Sequence, residues 1–385
     1  MATILLATTL AGGLGAAPAT AATASAAPAT AATATSATAT AAPATAAPAT
    51  TAPATAGLEY VALGDSYSAG LGLAPTTKLP VPKCGQSEVN FPHRVAEQLG
   101  LDLTDVSCSG ATTADITTAA QFDGADPQLD ALSASTDIVT LTIGGNDLGF
   151  VTVAATCAAA SAEGPLLQQK SQQNCESYFA HAGAENPATV LSDLVVPALA
   201  STYSAIADAA PNARVFVLGY PNLFREAAAI PDSGCFTQLG TEPSSLPVGT
   251  TDLAYLHGVE TALDAAIQSS AADAGFTYVP TFAESLGHDV CSGTDEEYVN
   301  GAIVAGFGLA PGSLHPNERG AAFLAAAAQD AIEASEPAEP ASVADSAAAS
   351  AAPFLVIGGA VLVAALVLAL VVARRRRSRG GRGRA

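Results

Sequence analysis

Apolar positions along the chain form short continuous runs that alternate with longer amphipathic stretches. The runs with strand character are residues 59–63, 101–106, 137–143, 214–218 and 276–279. The stretches with helical spacing are residues 91–99, 187–210, 251–274 and 317–334. Runs such as DIVTLTI at 137–143 are β-branched and uninterrupted, which is typical of strands buried on both faces. The alternation predicts an α/β fold in which helices cover both faces of a central parallel sheet.

Polar residues follow two of the predicted strands directly. Ser66, in Gly-Asp-Ser-Tyr-Ser, comes just after the run 59–63, and Asn146, in Gly-Gly-Asn-Asp, comes just after the run 137–143. Ligands of open parallel sheets bind at the carboxyl ends of the strands. We therefore expect Ser66 and Asn146 to meet at one edge of the sheet.

An uncharged segment of 20 residues, 354–373, lies near the C-terminus. As a helix it would span about 30 Å, the thickness of the hydrocarbon core of a bilayer. Seven arginines follow within residues 374–385, and the positive-inside rule places that tail in the cytoplasm and the acidic bulk of the chain outside. The alternative, a buried core helix, is disfavoured because only this short tail follows to pack against it. The sequence therefore predicts a single-pass protein of the cell membrane with a C-terminal transmembrane helix.

Composition divides the rest of the chain into further segments. Residues 1–15 are small and apolar, like the later part of a signal peptide, although no Lys or Arg precedes them. Residues 16–57 repeat Ala, Pro and Thr and predict an extended linker. Residues 335–353 predict a second linker before the transmembrane helix. Residues 58–334 remain as the folded part, a length that suits one ordinary domain.

Charge and composition exclude two classes of protein. The chain has 385 residues with 14 Lys and Arg against 35 Asp and Glu, a formal net charge of −21. An acidic balance of this size argues against nucleic-acid binding, and an apolar content of 49% excludes a wholly disordered chain. Six cysteines in an exported domain favour disulfides, but spacing alone leaves all 15 pairings open. No Cys-x-x-Cys or His-rich spacing indicates a metal site, so we expect neither a metal nor a cofactor.

Four positions have groups suited to acyl transfer. Ser66 follows a glycine at a predicted strand-to-helix turn, where free N–H groups would stabilise an oxyanion. His315, in Ser-Leu-His-Pro, is a base whose pKa lies near neutrality. The Asn146 amide can donate to a developing negative charge, and Gly110, in Cys-Ser-Gly-Ala-Thr, can present a bare backbone N–H. Taken singly, each has an ordinary interpretation as a turn, cap or loop residue.

Together, the motifs GDSYS, SCSGAT, GGND and LHP resemble, in residue type and in order, those of the GDSL or SGNH hydrolase family. The resemblance covers about residues 58–334 and implies a flavodoxin-like three-layer sandwich. It implies that Ser66 is the nucleophile and His315 its base. It also implies an oxyanion hole made of the Ser66 N–H, the Gly110 N–H and the Asn146 amide. The expected reaction is the hydrolysis of a carboxylic ester through an acyl-enzyme.

The sequence departs from the family pattern at one position. Many members carry an Asp three residues before the catalytic His, where this chain has Gly312. Some secreted bacterial esterases of the family lack that acid too, so similarity implies that the Gly312 carbonyl orients His315. Asp289, beside His288, is an alternative acid, although nothing in the sequence places it near His315.

The same esterases imply further assignments by similarity. Their three disulfides are paired in sequence order, which here gives Cys84–Cys108, Cys157–Cys175 and Cys235–Cys291. From the residues themselves, Asp65 and Asp147 are interpreted as braces of the turns that carry the motifs. The other histidines are interpreted as structural: His93, His181, His257 and His288.

Three functions stay open at this point. The first is an exported serine esterase or lipase that acts as a monomer on an ester or lipid substrate. The second keeps the mechanism but removes acyl groups from envelope glycans or glycolipids, which the predicted membrane tether favours. The third is a non-catalytic adhesin or scaffold on the same fold. The four motif residues argue against the third function, because binding alone requires none of them.

Overall fold

The computed structural model describes residues 55–181, 185–293 and 295–335. Within them the strands are β1 (Glu59–Gly64), β2 (Asp102–Asp105), β3 (Ile138–Thr142), β4 (Arg214–Leu218), β5 (Thr277–Val279), β6 (Val304–Ala305) and β7 (Gly308–Leu309). The α-helices are α1 (Ser66–Ala69), α2 (Phe91–Leu99), α3 (Thr113–Thr117), α4 (Gly145–Leu148), α5 (Phe150–Thr156), α6 (Cys175–Phe179), α7 (Pro187–Val190), α8 (Val196–Ala209), α9 (Thr250–Asp273), α10 (Thr281–Glu284) and α11 (Glu318–Ala334). Short 3₁₀ turns lie at Pro82–Cys84, Gln128–Ala131 and Ala227–Ala229.

The first five strands form one parallel sheet in the order β2-β1-β3-β4-β5. The register pairs Val61 with Val139 and Val139 with Val215. Because side chains alternate along a strand, these three valines lie on the same face of the sheet. The predicted central parallel sheet is confirmed, and each of its strands begins and ends within one residue of the run that predicted it.

Helices cover both faces of this sheet. On one face Leu63 packs in a core that includes Leu199 of α8 and residues of α9. On the other face Tyr60 packs in a core that includes Phe91 of α2 and Leu324 of α11. The alternation of residues along β1 therefore supplies two separate cores, and the domain has the three layers that the sequence predicts.

The helix predicted over 187–210 is present but is not regular. A π-helical turn, Leu191–Val195, separates α7 from α8, and the Val196 N–H bonds to the Leu191 carbonyl, five residues back. Pro197 follows at once and has no N–H to donate to the preceding turn of the helix. The wider π turn accommodates this missing donor while the helix continues.

Several segments named from the sequence fall outside the described residues. They include the signal-like segment 1–15, the transmembrane helix 354–373 and the basic tail 374–385. Among the residues that the structure does describe, one helical stretch, Pro187–Ala209, is long and apolar enough to cross a membrane. One side of that stretch packs through Leu199 on the sheet, as a core helix of a globular domain does.

Three disulfides join the pairs that the family resemblance implies. They are Cys84–Cys108, Cys157–Cys175 and Cys235–Cys291. The first bridge borders the loop of Ser109, whose N–H donates to the Cys84 carbonyl at 3.0 Å. The second joins the residue after α5 to the first residue of α6. Each bridge restrains a long loop, and a disulfide typically stabilises a fold by about 2–4 kcal/mol.

Candidate active site

The turn after β1 presents Ser66. Gly64 has a φ of +126°, and a Cβ at this position would lie 2.6 Å from the Thr142 carbonyl oxygen, so glycine is required here. Asp65 caps α1 by accepting the Tyr67 N–H at 3.0 Å. Ser66 is the first residue of α1 and is only 7% exposed. The turn therefore holds a buried hydroxyl at the carboxyl end of β1.

His315 lies against Ser66, although 249 residues separate them in the sequence. Its Nε2 is 2.7 Å from Ser66 Oγ, and its Nδ1 is 2.7 Å from the carbonyl oxygen of Ser313. A carbonyl oxygen can only accept a hydrogen bond, so Nδ1 carries the proton and Nε2 is left to accept from the hydroxyl. This is the tautomer that a general base needs.

The carbonyl that bonds to Nδ1 of His315 belongs to Ser313, and the expectation of the Gly312 carbonyl needs correction. The Gly312 carbonyl accepts from the Asn300 side-chain amide at 3.0 Å and from the main-chain N–H of His315 at 3.4 Å. The shift by one residue has a backbone cause. Leu314 has a φ of +59°, and this left-handed residue turns the chain so that the Ser313 carbonyl faces the imidazole.

Burial lowers the pKa of His315 below its usual value of about 6.5. The hydrogen bond to Ser313 acts in the opposite direction and offsets part of this effect. The imidazole is therefore neutral at pH 7 and can take a proton from Ser66. A neutral carbonyl stabilises an imidazolium less than a carboxylate would, so the lowered pKa is consistent with the partner that this histidine has.

Asp289, the alternative acid from the sequence, is engaged by other groups. Its carboxylate is buried, lies 2.9 Å from the Arg225 guanidinium and accepts the Cys291 N–H at 2.8 Å. The neighbouring His288 stacks on the ring of Tyr298 with 4.1 Å between ring centroids. Both side chains thus have structural partners of their own.

The turn after β3 presents Asn146 on α4. Its Nδ2 donates to the Ala111 carbonyl at 2.9 Å. Asn146, Ser66 and His315 line the same cavity. A side-chain amide has two hydrogens on its nitrogen, so one remains for a ligand in the cavity while the other holds the side chain in place.

Gly110 lies in the loop that precedes Ala111 and is exposed, with a φ of +86°. It is not among the residues that line the cavity of Ser66. Within the described residues, neither the Gly110 N–H nor the Ser66 N–H donates to a protein acceptor. Asp147 braces this loop, since its carboxylate accepts the Thr113 N–H at 3.1 Å and the Thr113 hydroxyl at 2.5 Å. Burial raises the pKa of Asp147.

A buried network that sequence reasoning missed joins the turn after β1 to the turn after β3. The Tyr220 hydroxyl donates to Asp65 at 2.6 Å and accepts the Gly145 N–H at 3.0 Å. The Thr142 hydroxyl also donates to Asp65, at 2.8 Å. Burial raises the pKa of Asp65 to about 6, and these hydrogen bonds limit the rise. The available signal was position, because Tyr220 comes just after β4 at the same edge of the sheet.

Tyr67 is a second neighbour of Ser66 and His315 that the sequence did not reveal. Its hydroxyl donates to the Leu314 carbonyl at 2.7 Å. Its ring lies edge-on to Tyr220, with 4.9 Å between centroids, and 5.2 Å from the ring of His315. Burial raises the pKa of Tyr67 well above its usual range, so the hydroxyl stays protonated and donates.

Apolar side chains form much of the cavity wall beside the serine and the histidine. They are Phe150, Val151, Leu223, Leu263, Phe282 and Leu314. Glu260 also lines the cavity, but its carboxyl group accepts the backbone N–H groups of Leu223 and Phe224 at 3.0 and 3.1 Å. Burial raises the pKa of Glu260 well above its usual range. Two further carboxyl groups line the cavity, and Asp65 and Asp264 accept hydrogen bonds from Tyr220 and Tyr278. The apolar part of the wall suits an uncharged, apolar group next to Ser66.

Comparison with known proteins identifies relatives over most of the chain. The model of the GDSL-like Lipase/Acylhydrolase family matches residues 62–323. Lipase 2 of Streptomyces coelicolor is 37% identical over 283 residues, which cover 71% of this chain and 86% of that protein. Lipase 1 of the same organism is 33% identical, over 61% of this chain and 74% of its own length.

Two solved structures are similar as well. The phospholipase A1 from Streptomyces albidoflavus NA297 superimposes with a TM-score of 0.55 and 26% identity, covering 73% of this chain and all of that chain. The extracellular lipase from Streptomyces rimosus superimposes with a TM-score of 0.54 and 26% identity, covering 72% of this chain and all of that one. The family that the four motifs indicated is thus confirmed by sequence and by fold. The chain belongs to the GDSL-like lipase/acylhydrolase family, a family of ester hydrolases with the SGNH fold.

Proposed function

We propose that the protein hydrolyses carboxylic esters, with lipid esters as the main substrate class, through an acyl-enzyme formed on Ser66. One observation carries the proposal. Ser66 Oγ lies 2.7 Å from Nε2 of His315, and the proton on Nδ1 is held by the Ser313 carbonyl. A hydroxyl paired with a correctly oriented neutral imidazole is the arrangement that activates a serine nucleophile.

The reaction has two stages. Ser66 Oγ attacks the ester carbonyl carbon while His315 takes the hydroxyl proton. The tetrahedral intermediate then expels the alcohol, which receives that proton from His315. In the second stage His315 removes a proton from water, the hydroxide attacks the acyl-enzyme, and the acid leaves as Ser66 recovers its proton.

The oxyanion of each tetrahedral intermediate is bound by three donors. They are the N–H groups of Ser66 and Gly110 and the side-chain amide of Asn146. Support comes from the two backbone N–H groups, which have no protein acceptor among the described residues. The Asn146 amide supports the proposal too, because only one of its two hydrogens is used by the Ala111 carbonyl. The Asn146→Ala variant should lose about 10²–10³ in kcat, the usual effect of removing one such donor.

The nucleophile is tested by covalent labelling with a fluorophosphonate, which phosphonylates an activated serine. The full chain should be labelled, and Ser66→Ala should not. Ser68→Ala is the matched control, because Ser68 lies on the same short helix and its Oγ bonds to Thr142 at 3.0 Å. Labelling that survives in Ser66→Ala and is lost in Ser68→Ala would refute the assignment of the nucleophile.

The base is tested by turnover of a soluble short-chain nitrophenyl ester. His315→Ala should lose nearly all activity. His257→Ala serves as the control, since Nδ1 of His257 bonds to the Phe224 carbonyl at 2.8 Å and the ring takes no part in the proposed reaction. A His315→Ala protein that keeps its turnover and its fold would rule out the mechanism.

The substrate class is tested by a screen of acyl length and alcohol type. The apolar wall of Phe150, Val151, Leu223, Leu263, Phe282 and Leu314 supports a preference for acyl chains longer than acetyl. Hydrolysis rates on nitrophenyl esters and phospholipids should therefore rise with acyl length from the acetyl ester. Release of acetate from envelope glycans, with no gain from longer chains, would assign the enzyme to glycan deacylation instead.

We propose further that the hydrolase domain lies outside the cell, tethered by the helix at 354–373. The uncharged 20-residue segment and the arginines that follow it support this location. The full chain should stay in the membrane fraction after alkaline washing, and its domain should be cut by protease added to intact cells. A fragment that ends at residue 340 should be released into the medium. Recovery of the full chain in the washed soluble fraction would contradict the tether.

A further inference from the structure

The antiparallel hairpin of β6 and β7 projects an apolar tip from the domain. Its side chains Val304 and Leu309 are 44% and 49% exposed, and Phe307 at the tip is 114% exposed, so its ring packs against nothing in the described residues. Val304 and Leu309 pair across the hairpin and Phe307 lies in the turn between the two strands. Exposed apolar patches mark contact sites. The hairpin therefore has the composition of a docking element.

The tip stands clear of the rest of the domain. Gly306 and Gly308 flank Phe307, and a Cβ placed on either glycine would meet no atom within 4 Å. The loop at Leu239 and Gly240 adjoins the base of the hairpin, since a Cβ on Gly240 would lie 3.4 Å from Val304. A narrow projection of this kind is suited to insertion into a soft layer, whereas a protein partner requires a broad complementary face.

The base of the hairpin is bonded to the turn that holds the catalytic histidine. The Ile303 N–H donates to the Ser313 hydroxyl at 2.9 Å, and that hydroxyl donates to the Ile303 carbonyl at 3.2 Å. The Ala310 N–H closes the hairpin on the Ile303 carbonyl at 2.7 Å. Ser313 is also the residue whose carbonyl accepts from Nδ1 of His315. Ser313 is therefore hydrogen-bonded both to the base of the hairpin and to the imidazole of His315.

Charge favours a lipid surface as the occupant. Residues 298–317 contain no Asp, Glu, Lys or Arg, in a chain whose formal net charge is −21. The acidic domain is repelled by anionic surfaces and by a second copy of itself, but an uncharged hairpin can enter a zwitterionic layer. Area also argues against a dimer through this tip. One phenylalanine buries about 150–250 Å² and a stable interface about 1,200–2,000 Å², which three side chains do not reach.

We propose that the hairpin 303–310 docks the domain on zwitterionic lipid by inserting Phe307, Val304 and Leu309 among the acyl chains. Apolar side chains with aromatic character bind the boundary between headgroups and acyl chains in this way. The docked hairpin presents the turn of His315 to the lipid surface. This last step, delivery of an ester to Ser66, rests on the proposed function, whereas the docking does not.

The docking is tested with a tryptophan at the tip, because the chain contains no other tryptophan. The full chain carries Ser66→Ala, to stop turnover, together with Phe307→Trp. It is mixed with phosphatidylcholine vesicles whose acyl chains are brominated and quench only tryptophan that touches them. Trp emission at 307 should shift to shorter wavelength and be quenched. Ala134→Trp is the control, because this exposed residue precedes β3 and lies at the opposite edge of the sheet.

The test distinguishes insertion of the hairpin from attachment of the chain to the vesicle through another segment. A tether holds both tryptophans near the vesicle but brings neither into the acyl layer, so equal spectra at 307 and 134 would overturn the docking. A blue shift at 307 that appears without lipid and grows with protein concentration would also overturn the docking. It would show that the tip binds a second copy of the chain.

Kinetics separate the docking from the chemistry. In the chain with its native serine, Phe307→Ser should lower the rate on vesicular phospholipid several-fold relative to the rate on a soluble short-chain ester. An unchanged ratio of the two rates would overturn the proposal. If position 307 is quenched but the chain with its native serine hydrolyses no ester, the proposed function is refuted and the docking stands.

Discussion

The Tyr67 hydroxyl donates to the Leu314 carbonyl oxygen at 2.7 Å. Tyr67 follows Ser66, the proposed nucleophile, and Leu314 precedes His315, the proposed base, so this hydrogen bond joins the two halves of the site through their immediate neighbours. Leu314 is also one of the two non-glycine residues with positive φ in the described part of the chain. The Tyr67 hydrogen bond thus holds a turn that the backbone of a leucine does not favour by itself.

Tyr67→Phe removes this hydrogen bond and keeps the ring. We expect kcat on a soluble ester to fall about tenfold, which corresponds to about 1.4 kcal/mol in the barrier, because the turn that positions His315 loosens. KM should change less, since the phenyl ring still occupies the same space. Steady-state kinetics on the purified full chain measure both constants.

Tyr60→Phe provides the matched control for that variant. Tyr60 is fully buried, and its hydroxyl is 2.6 Å from the Thr140 hydroxyl. Both variants should lose about 1 kcal/mol of unfolding free energy, the usual contribution of one hydrogen bond. Equal losses of kcat in the two variants would show that Tyr67 acts only through stability.

Tyr220→Phe tests the network between the turns that follow β1 and β3. The change removes a donor to the buried Asp65 and an acceptor for the half-buried Gly145 N–H. We expect a loss of about 1–3 kcal/mol of unfolding free energy and a reduced kcat, because Asp65 loses one of its three hydrogen bonds and the Gly145 N–H loses its acceptor. Urea unfolding and kinetics on the same preparation measure the two effects.

Tyr203 supplies the comparison for Tyr220. Its hydroxyl is buried and has no hydrogen-bond partner among the described residues. Tyr203→Phe removes an unpaired polar group, so the protein should be as stable as before or more stable. If Tyr203→Phe were as destabilising as Tyr220→Phe, the loss would come from removing any buried hydroxyl and not from the network of Tyr220.

The acid limb of the pH profile should lie below pH 6.5. Burial lowers the pKa of His315, and in the proposed mechanism only the neutral imidazole accepts the Ser66 proton. The value of kcat/KM should therefore decline as pH falls through the lowered pKa, with its half-maximal value below about pH 6.5. Initial rates at low concentrations of a soluble ester, taken from about pH 4 to pH 8, define the limb.

Asp65 is a second group that titrates in this range, since burial raises its pKa to about 6. The Asp65→Asn variant separates the two assignments. It should be less active, because the side chain accepts three hydrogen bonds, yet its acid limb should stay where the limb of the native protein lies. Disappearance of the limb in Asp65→Asn would assign it to the carboxyl group.

The sequence located the site because parallel sheets have a simple rule. Ser66 and Asn146 each follow a buried β-branched or apolar run, and the carboxyl ends of such strands meet at one edge. The strands could be predicted from these runs, since strands buried on both faces need continuous apolar residues. His315 was found only through its motif, because the position of a loop histidine depends on contacts that local sequence does not encode.

The features that could not be predicted from the sequence depend on the conformation of single backbone turns and on hydrogen bonds between residues far apart in the chain. The left-handed conformation of Leu314 moves the orienting carbonyl from Gly312 to Ser313, and nothing about a leucine predicts positive φ. The bond between Asp65 and Tyr220 spans 155 residues and needs β1, β3 and β4 in place. The hairpin of β6 and β7 has strands of two residues each, too short for an alternating pattern to be recognised.

Gly312→Ala keeps the main-chain carbonyl and tests whether the turn that holds His315 tolerates a side chain at this position. A Cβ on Gly312 would lie 3.4 Å from Gly72 Cα and 3.7 Å from the Asn300 amide nitrogen, which are ordinary contacts. Gly312→Ala should therefore keep kcat/KM within about twofold of the native value. Gly72→Ala is the reciprocal control, because its Cβ would lie 2.4 Å from Gly312 Cα at a φ of +95°. That variant should lose about 1–3 kcal/mol of unfolding free energy through overpacking alone. If Gly312→Ala instead unfolded as the native protein does but lost its turnover, the added methyl group would have displaced the turn of His315, and the space beside Gly72 would be smaller than these distances indicate.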